Sequence, residues 1–104
     1  MMSPFQIRQL AEELPPPESG RLTRVLVDDA KAKVILFAFA AEDGLAEHVA
    51  PLPAIIQIIT GDAMLTVGEE TIAGKQGTWI QMAAKLPHSV NALSPVVMLL
   101  TLLK

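Results

Sequence analysis

The stretch GLAEHVAPLPAIIQIITG, residues 44–61, decides how the rest of the chain is read. It carries one histidine, His48, then Pro51 and Pro53, then the uncharged run Ala54 to Thr60, closed by Gly61. The run AIIQIIT is rich in β-branched residues and ends on a turn glycine, so it predicts a strand. A second segment, GTWIQMAAKLPH, residues 77–88, carries the other histidine, His88, behind a glycine-led strand run.

Outward from these two segments the strand signal recurs. RLTRVLVDD, AKVILFAFA, AMLTVG, TWIQMA, HSVNAL and VVMLLTLLK are short apolar runs. They are divided by turn residues at Asp43-Gly44, Gly61-Asp62, Gly68-Glu69, Gly74-Lys75 and Gly77. Regular spacing of this kind predicts an all-β sandwich or barrel. The N-terminal SPFQIRQLAEEL reads as a helix. Ser3 is its candidate cap, Pro4 its first residue, and Ile7, Leu10, Ala11 and Leu14 share one face. Pro15-Pro16-Pro17 ends it. The division is a helix and linker over 1–20 and a barrel over 21–104.

Bulk composition narrows the function classes. The chain has 104 residues, enough for one domain and its core. Its net charge is −3 with Lys and Arg scattered, so neither nucleic acid nor an anionic membrane surface is an expected partner. It has no cysteine, which excludes disulfides and thiolate chemistry. No run is long and apolar enough to span a bilayer as a helix, and the first residues lack the order of a signal peptide. A cytoplasmic location is expected.

Three strands break the usual alternation. Val34 to Ala40 is apolar on both faces, Val96 to Leu103 is the same except for Thr101, and Ala54 to Thr60 is nearly so, broken by Gln57. One barrel interior covers only one face of each. The second face needs another cover, and the expectation is a homodimer, with the N-terminal segment as the alternative cover.

The two histidines, His48 and His88, are the only ones in the chain. The segments around them resemble the two motifs of the cupin superfamily. The first of those motifs runs from a glycine through a His-x-His pair and a glutamate to a closing glycine. The second runs from a glycine through Pro-x-Gly and a histidine to an asparagine. His48 takes the first histidine position and Gly61 the closing glycine; Gly77 opens the second motif and His88 takes its histidine. The resemblance covers Lys31 to Leu103. EHVAP, GDA, GTWIQMAAKLPH and VVMLLTLLK look like small stand-alone bacterial cupins. It implies a double-stranded β-helix, or jelly-roll barrel, preceded by a short helix.

Several positions depart from the pattern. Ala50 stands at the second histidine, Ala54 at the glutamate, Ala83 at the motif-two proline, Lys85 at its glycine and Ala92 at its asparagine. Glu42 holds the opening glycine position of the first motif. Two of four metal-ligand positions survive. Gln57 and Gln81 are the nearest polar substitutes, but an amide is a poor ligand for such ions. With Ala54 facing inward, Gln57 faces out, and Glu47 beside His48 also points elsewhere. Met64, Met82 and Trp79 are candidates for the lining. Ser89 faces away from His88 and is no activated nucleophile.

Two functions follow from this reading. One is a small-molecule-binding barrel with His48 and His88 as ligand-binding residues and no cofactor. The alternative is a metal-dependent cupin enzyme of the dioxygenase or isomerase kind, with His48 and His88 holding a weakly bound divalent metal, Zn, Fe, Mn or Ni. A dimer without ligand is a third.

Overall fold

The computed structural model describes residues 4–104. Nine strands follow one helical turn, α1 (Leu10–Glu13). They are β1 (Arg21–Asp28), β2 (Ala32–Phe39), β3 (Gly44–His48), β4 (Ala54–Thr60), β5 (Ala63–Val67), β6 (Glu70–Gly74), β7 (Trp79–Met82), β8 (His88–Ala92) and β9 (Val96–Leu103). One sheet has the order β1-β2-β9-β4-β7 and the other β3-β8-β5-β6, with all pairs antiparallel.

Register explains the core. Met98 on β9 lies opposite Phe37 on β2 and Ile58 on β4. Leu100 lies opposite Ile35 and Ile56 in the same way. Three strands thus send matching layers of side chains inward, which is what a period of two produces when registers agree. The other sheet contributes Ala63, Leu65, Val90 and Ala92 to the same core. Phe37 and Phe39, two apart on β2, stack with ring centroids 5.6 Å apart.

Both faces of β2 and β9 are buried, as their composition requires. Leu36, Ala38 and Val97 on the outer face form a second cluster with Leu14, flanked by Leu10, Leu26, Ile59 and Leu99. The N-terminal segment supplies Leu10 and Leu14. The burial that these outer residues demand is therefore met inside one chain.

That segment differs from the expected helix. Only Leu10–Glu13 is helical, its N-cap is Gln9 without a side-chain capping bond, and residues 5–9 carry no regular structure. The proposed cap Ser3 lies outside the described residues. Ile7, placed by periodicity on the apolar face, is 76% exposed. The physical reason is competition. A helix of about ten residues is marginal in water, and here tertiary contacts offer more. Gln6 donates to the Leu26 carbonyl on β1 at 3.1 Å, and Arg8 donates to Gln6 Oε1 at 2.8 Å and to Glu13 at 2.7 Å. Arg24 of β1 also pairs with Glu13. The Arg24 hydrogen bond, with help from Arg8, holds the Glu13 carboxyl below its ordinary range despite the opposing effect of burial. The segment is thus a strap laid along the sheet.

Two strands, β3 and β6, were not among those the sequence predicts. β3 reads GLAEH and β6 reads ETIAG, both with too few apolar residues to register as strands. They lie at the two edges of the four-stranded sheet, where one backbone side has no strand beside it. Among the described residues no helix is long and apolar enough to cross a membrane.

Candidate functional site

The two histidines meet. His48 is the last residue of β3 and His88 the first of β8, and they are direct partners across the strand pair. Their ring centroids are 4.2 Å apart with the planes tilted by 59°. His88 is 4% exposed, the one buried polar or charged residue of the described chain. His48 is exposed at the rim.

A bulge makes the pairing. Leu45 lies opposite Val90, but the next pair is His48 with His88. β3 therefore spends three steps where β8 spends two. Strict alternation from Leu45 would have set Glu47 against His88. The extra residue re-aims the strand end, a recurrent use of bulges next to functional sites. Sequence reading found both histidines but not this bulge, which leaves no sign in composition.

The rings have fixed orientation. His48 Nδ1 lies 2.8 Å from the Ala46 carbonyl oxygen, and His88 Nδ1 lies 3.0 Å from that of Leu86. A carbonyl only accepts, so each Nδ1 carries the proton and donates. This tautomer follows from the bonding network. Each Nε2 is then left with its lone pair and no described protein partner.

Chain connections place the pair at one end of the barrel. Residues 49–53 run from His48 to Ala54 at the start of β4, and residues 83–87 run from Met82 at the end of β7 to His88. The Lys85 amide donates to the Ala50 carbonyl at 2.7 Å, joining the two loops. Ala54 and Met82, themselves cross-strand partners, are buried on the opposite sheet at this end. Ile56 and Leu100 lie one layer deeper. The site is a pair of imidazoles over an aliphatic interior.

Other sequence candidates fall elsewhere. Met82 is a core residue, whereas Met64 sits opposite Ala73 and Asn91, which are exposed. Trp79, on the edge strand β7, is 55% exposed. Gln57 lies opposite Trp79 and Gln81 opposite Ile55, out of step with inward-facing Ala54, Ile56 and Ile58. Neither glutamine joins the histidines. A groove of about 230 Å³ on the outer face of the five-stranded sheet, lined by Gln6, Arg8, Leu10 and Val34 among others, is the seam of the strap.

The four-ligand cupin metal set does not fit these residues. Among the described residues no three His, Cys, Asp or Glu side chains come together as a metal group. Two imidazoles alone leave at least two positions of a tetrahedral ion to outside ligands.

A scan against protein-family models and a search of curated proteins gave no match. Solved structures do match. A conserved protein of unknown function from Streptococcus pyogenes superposes with a TM-score of 0.87 at 26% identity, covering 99% of this chain and 90% of that one. A cupin superfamily protein from Desulfitobacterium hafniense gives 0.86 at 21%, with coverages of 90% and 86%. A cupin 2 conserved barrel domain protein from Leptotrichia buccalis gives 0.84 at 26%, with coverages of 91% and 46%. The chain has the fold of a small single-domain cupin barrel.

With the cupin barrel in place, two departures from its motifs acquire a backbone meaning. Glu42 and Lys85 stand where the motifs carry glycine, and both have left-handed φ, +73° and +67°. They are the only non-glycine residues of the described chain to do so. Both positions hold a backbone conformation that glycine adopts freely.

Proposed function

We propose that this cupin-like barrel binds a small molecule, with His48 and His88 as the polar handles of an otherwise apolar barrel end and no resident metal. The observation that carries the reading is the paired imidazoles, 4.2 Å apart, each with Nδ1 committed to a backbone carbonyl. Both Nε2 lone pairs are left to a ligand that donates hydrogen bonds. An apolar lining with a few convergent polar groups is the general form of such a site.

One observation favours the metalloenzyme reading. Metal-bound histidines commonly donate their other ring nitrogen to a carbonyl or carboxylate, as these two do. Against it stands the missing third ligand. The two readings separate in one experiment. The protein is purified without a polyhistidine tag or chelator, beside a His48→Ala, His88→Ala double variant. Native mass spectrometry is expected to find a co-purifying organic molecule that the double variant lacks. Elemental analysis is expected to find Zn, Fe, Mn and Ni far below stoichiometry. Near-stoichiometric metal, absent from the double variant, would replace this reading with that of a dioxygenase or isomerase.

A homodimer is proposed alongside. Its support is Leu22 and Val25, exposed on the edge strand β1. Light scattering at micromolar concentration is expected to give about twice the chain mass, as for a two-fold dimer; a clean monomer would refute it.

A further inference from the structure

We propose that the ligand of this site is a hydroxy acid, its hydroxyl donating to one Nε2 of the histidine pair and its carboxylate bound by Lys85. The inference rests on the reading of the His48–His88 pair as a binding site.

Lys85 is the starting point because its backbone is costly. A lysine at φ +67° pays the steric penalty that glycine avoids. Such outliers persist only where the surroundings impose them, and they gather at functional sites. Here the contact at the turn is the hydrogen bond that the Lys85 amide donates to the carbonyl of Ala50, two residues from His48. The strained turn therefore belongs to the loop that delivers His88 and is tied to the loop that leaves His48. Glycine would relieve the strain and keep that bond. What lysine adds is a side chain.

The charge of that side chain is not used within the chain. Lys85 is exposed and joins none of the ion pairs among the described residues. It is also the only Lys or Arg in residues 43–53 and 82–92, the two segments that carry the histidines. In a protein of net charge −3 these two segments thus carry one cation, on a flexible four-carbon stem. The histidines ask for something different. With Nδ1–H spent on backbone carbonyls, Nε2 accepts and does not donate. A bare carboxylate has nothing to give it. A hydroxyl does, and the same molecule can offer its carboxylate to the ammonium.

The test uses matched probes on the intact protein: 3-hydroxybutyrate and 3-hydroxybenzoate, each against its primary amide. Binding is read from the ring resonances of His48 and His88 by NMR. Both acids are expected to bind about fivefold more tightly than their amides, the range of an exposed ion pair. Lys85→Gln is expected to erase that preference. Lys85→Gly is expected to erase it too, while raising the melting temperature by about 2–6 °C through relief of strain. Glu42→Gly, remote from the histidines, is expected to raise the melting temperature similarly and leave the preference intact. Amides that bind as tightly as the acids, or a preference that survives Lys85→Gln, would overturn the role of Lys85 and leave the histidine site standing. If neither acids nor amides move the ring signals, the histidine site itself falls, and this inference with it.

Discussion

Gly61→Ala is expected to lower the melting temperature by more than about 10 °C, a loss of about 3–4 kcal/mol. Two independent costs meet at this residue. Its φ of +91° lies in the left-handed range that a Cβ disfavours. An added Cβ would also sit 2.1 Å from the Pro95 carbonyl oxygen and 2.9 Å from Val96 Cγ2. Backbone does not swing aside as a long side chain does. The two chain segments are moreover locked together. Leu93 and Ser94 donate their amides to the Asp62 carbonyl, and the Asp62 amide donates to Ser94 Oγ at 2.9 Å. The turn from β4 to β5 cannot retreat without breaking this lattice and moving β9, the central strand of its sheet. Gly77→Ala separates the costs. Gly77 has the same φ of +91°, but nothing lies within 4 Å of its would-be Cβ. Its loss is expected to be the conformational part alone, about 1–2 kcal/mol. Thermal melts of both variants decide the matter. Equal losses would mean that the contact with Pro95 is relieved at little cost.

The same comparison shows what the sequence carried and what it did not. The strongly apolar strands β2, β4, β5 and β9 were legible because their burial is written in their composition, and β1, β7 and β8 because turn residues set off their short runs. The histidines, Gly61 and Gly77 were legible through motif spacing. β3 and β6 were not, since an edge strand needs only backbone bonds on one side and little apolar surface. The N-terminal helix failed for a related reason. Its periodicity was genuine, and Leu10 and Leu14 do face the sheet, but Gln6 and Arg8 found partners on β1 and α1 that a helix starting at residue 4 would forgo. The conformations of Glu42 and Lys85 were hidden because residue type argues against left-handed φ there. Only the motif position hinted at it. The bulge before His48 depends on pairing between distant segments, which no local window reports.

His88→Ala and His48→Ala are expected to cost binding alike and stability unequally. The residues look equivalent in the sequence, and they face each other at 4.2 Å. Their burial sets them apart. His88 is enclosed, so alanine leaves a cavity and strips the Leu86 carbonyl of its 3.0 Å donor. A cavity plus an unsatisfied acceptor comes to about 2–3 kcal/mol, or about 10 °C or more in melting temperature. His48 is exposed, and the Ala46 carbonyl that it bonds can turn to water. Its loss is expected to be below about 1 kcal/mol. His88→Asn supplies a check on the cause, because an amide N–H can replace the donor to Leu86 while the ring is lost. It is expected to recover part of the stability and none of the binding. Melting curves and the ring-resonance titration together test the assignment. A His48→Ala variant as unstable as His88→Ala would mean that the rim histidine is part of the core. A variant that loses either ring and still binds the hydroxy acids would mean that the pair does not act as one site.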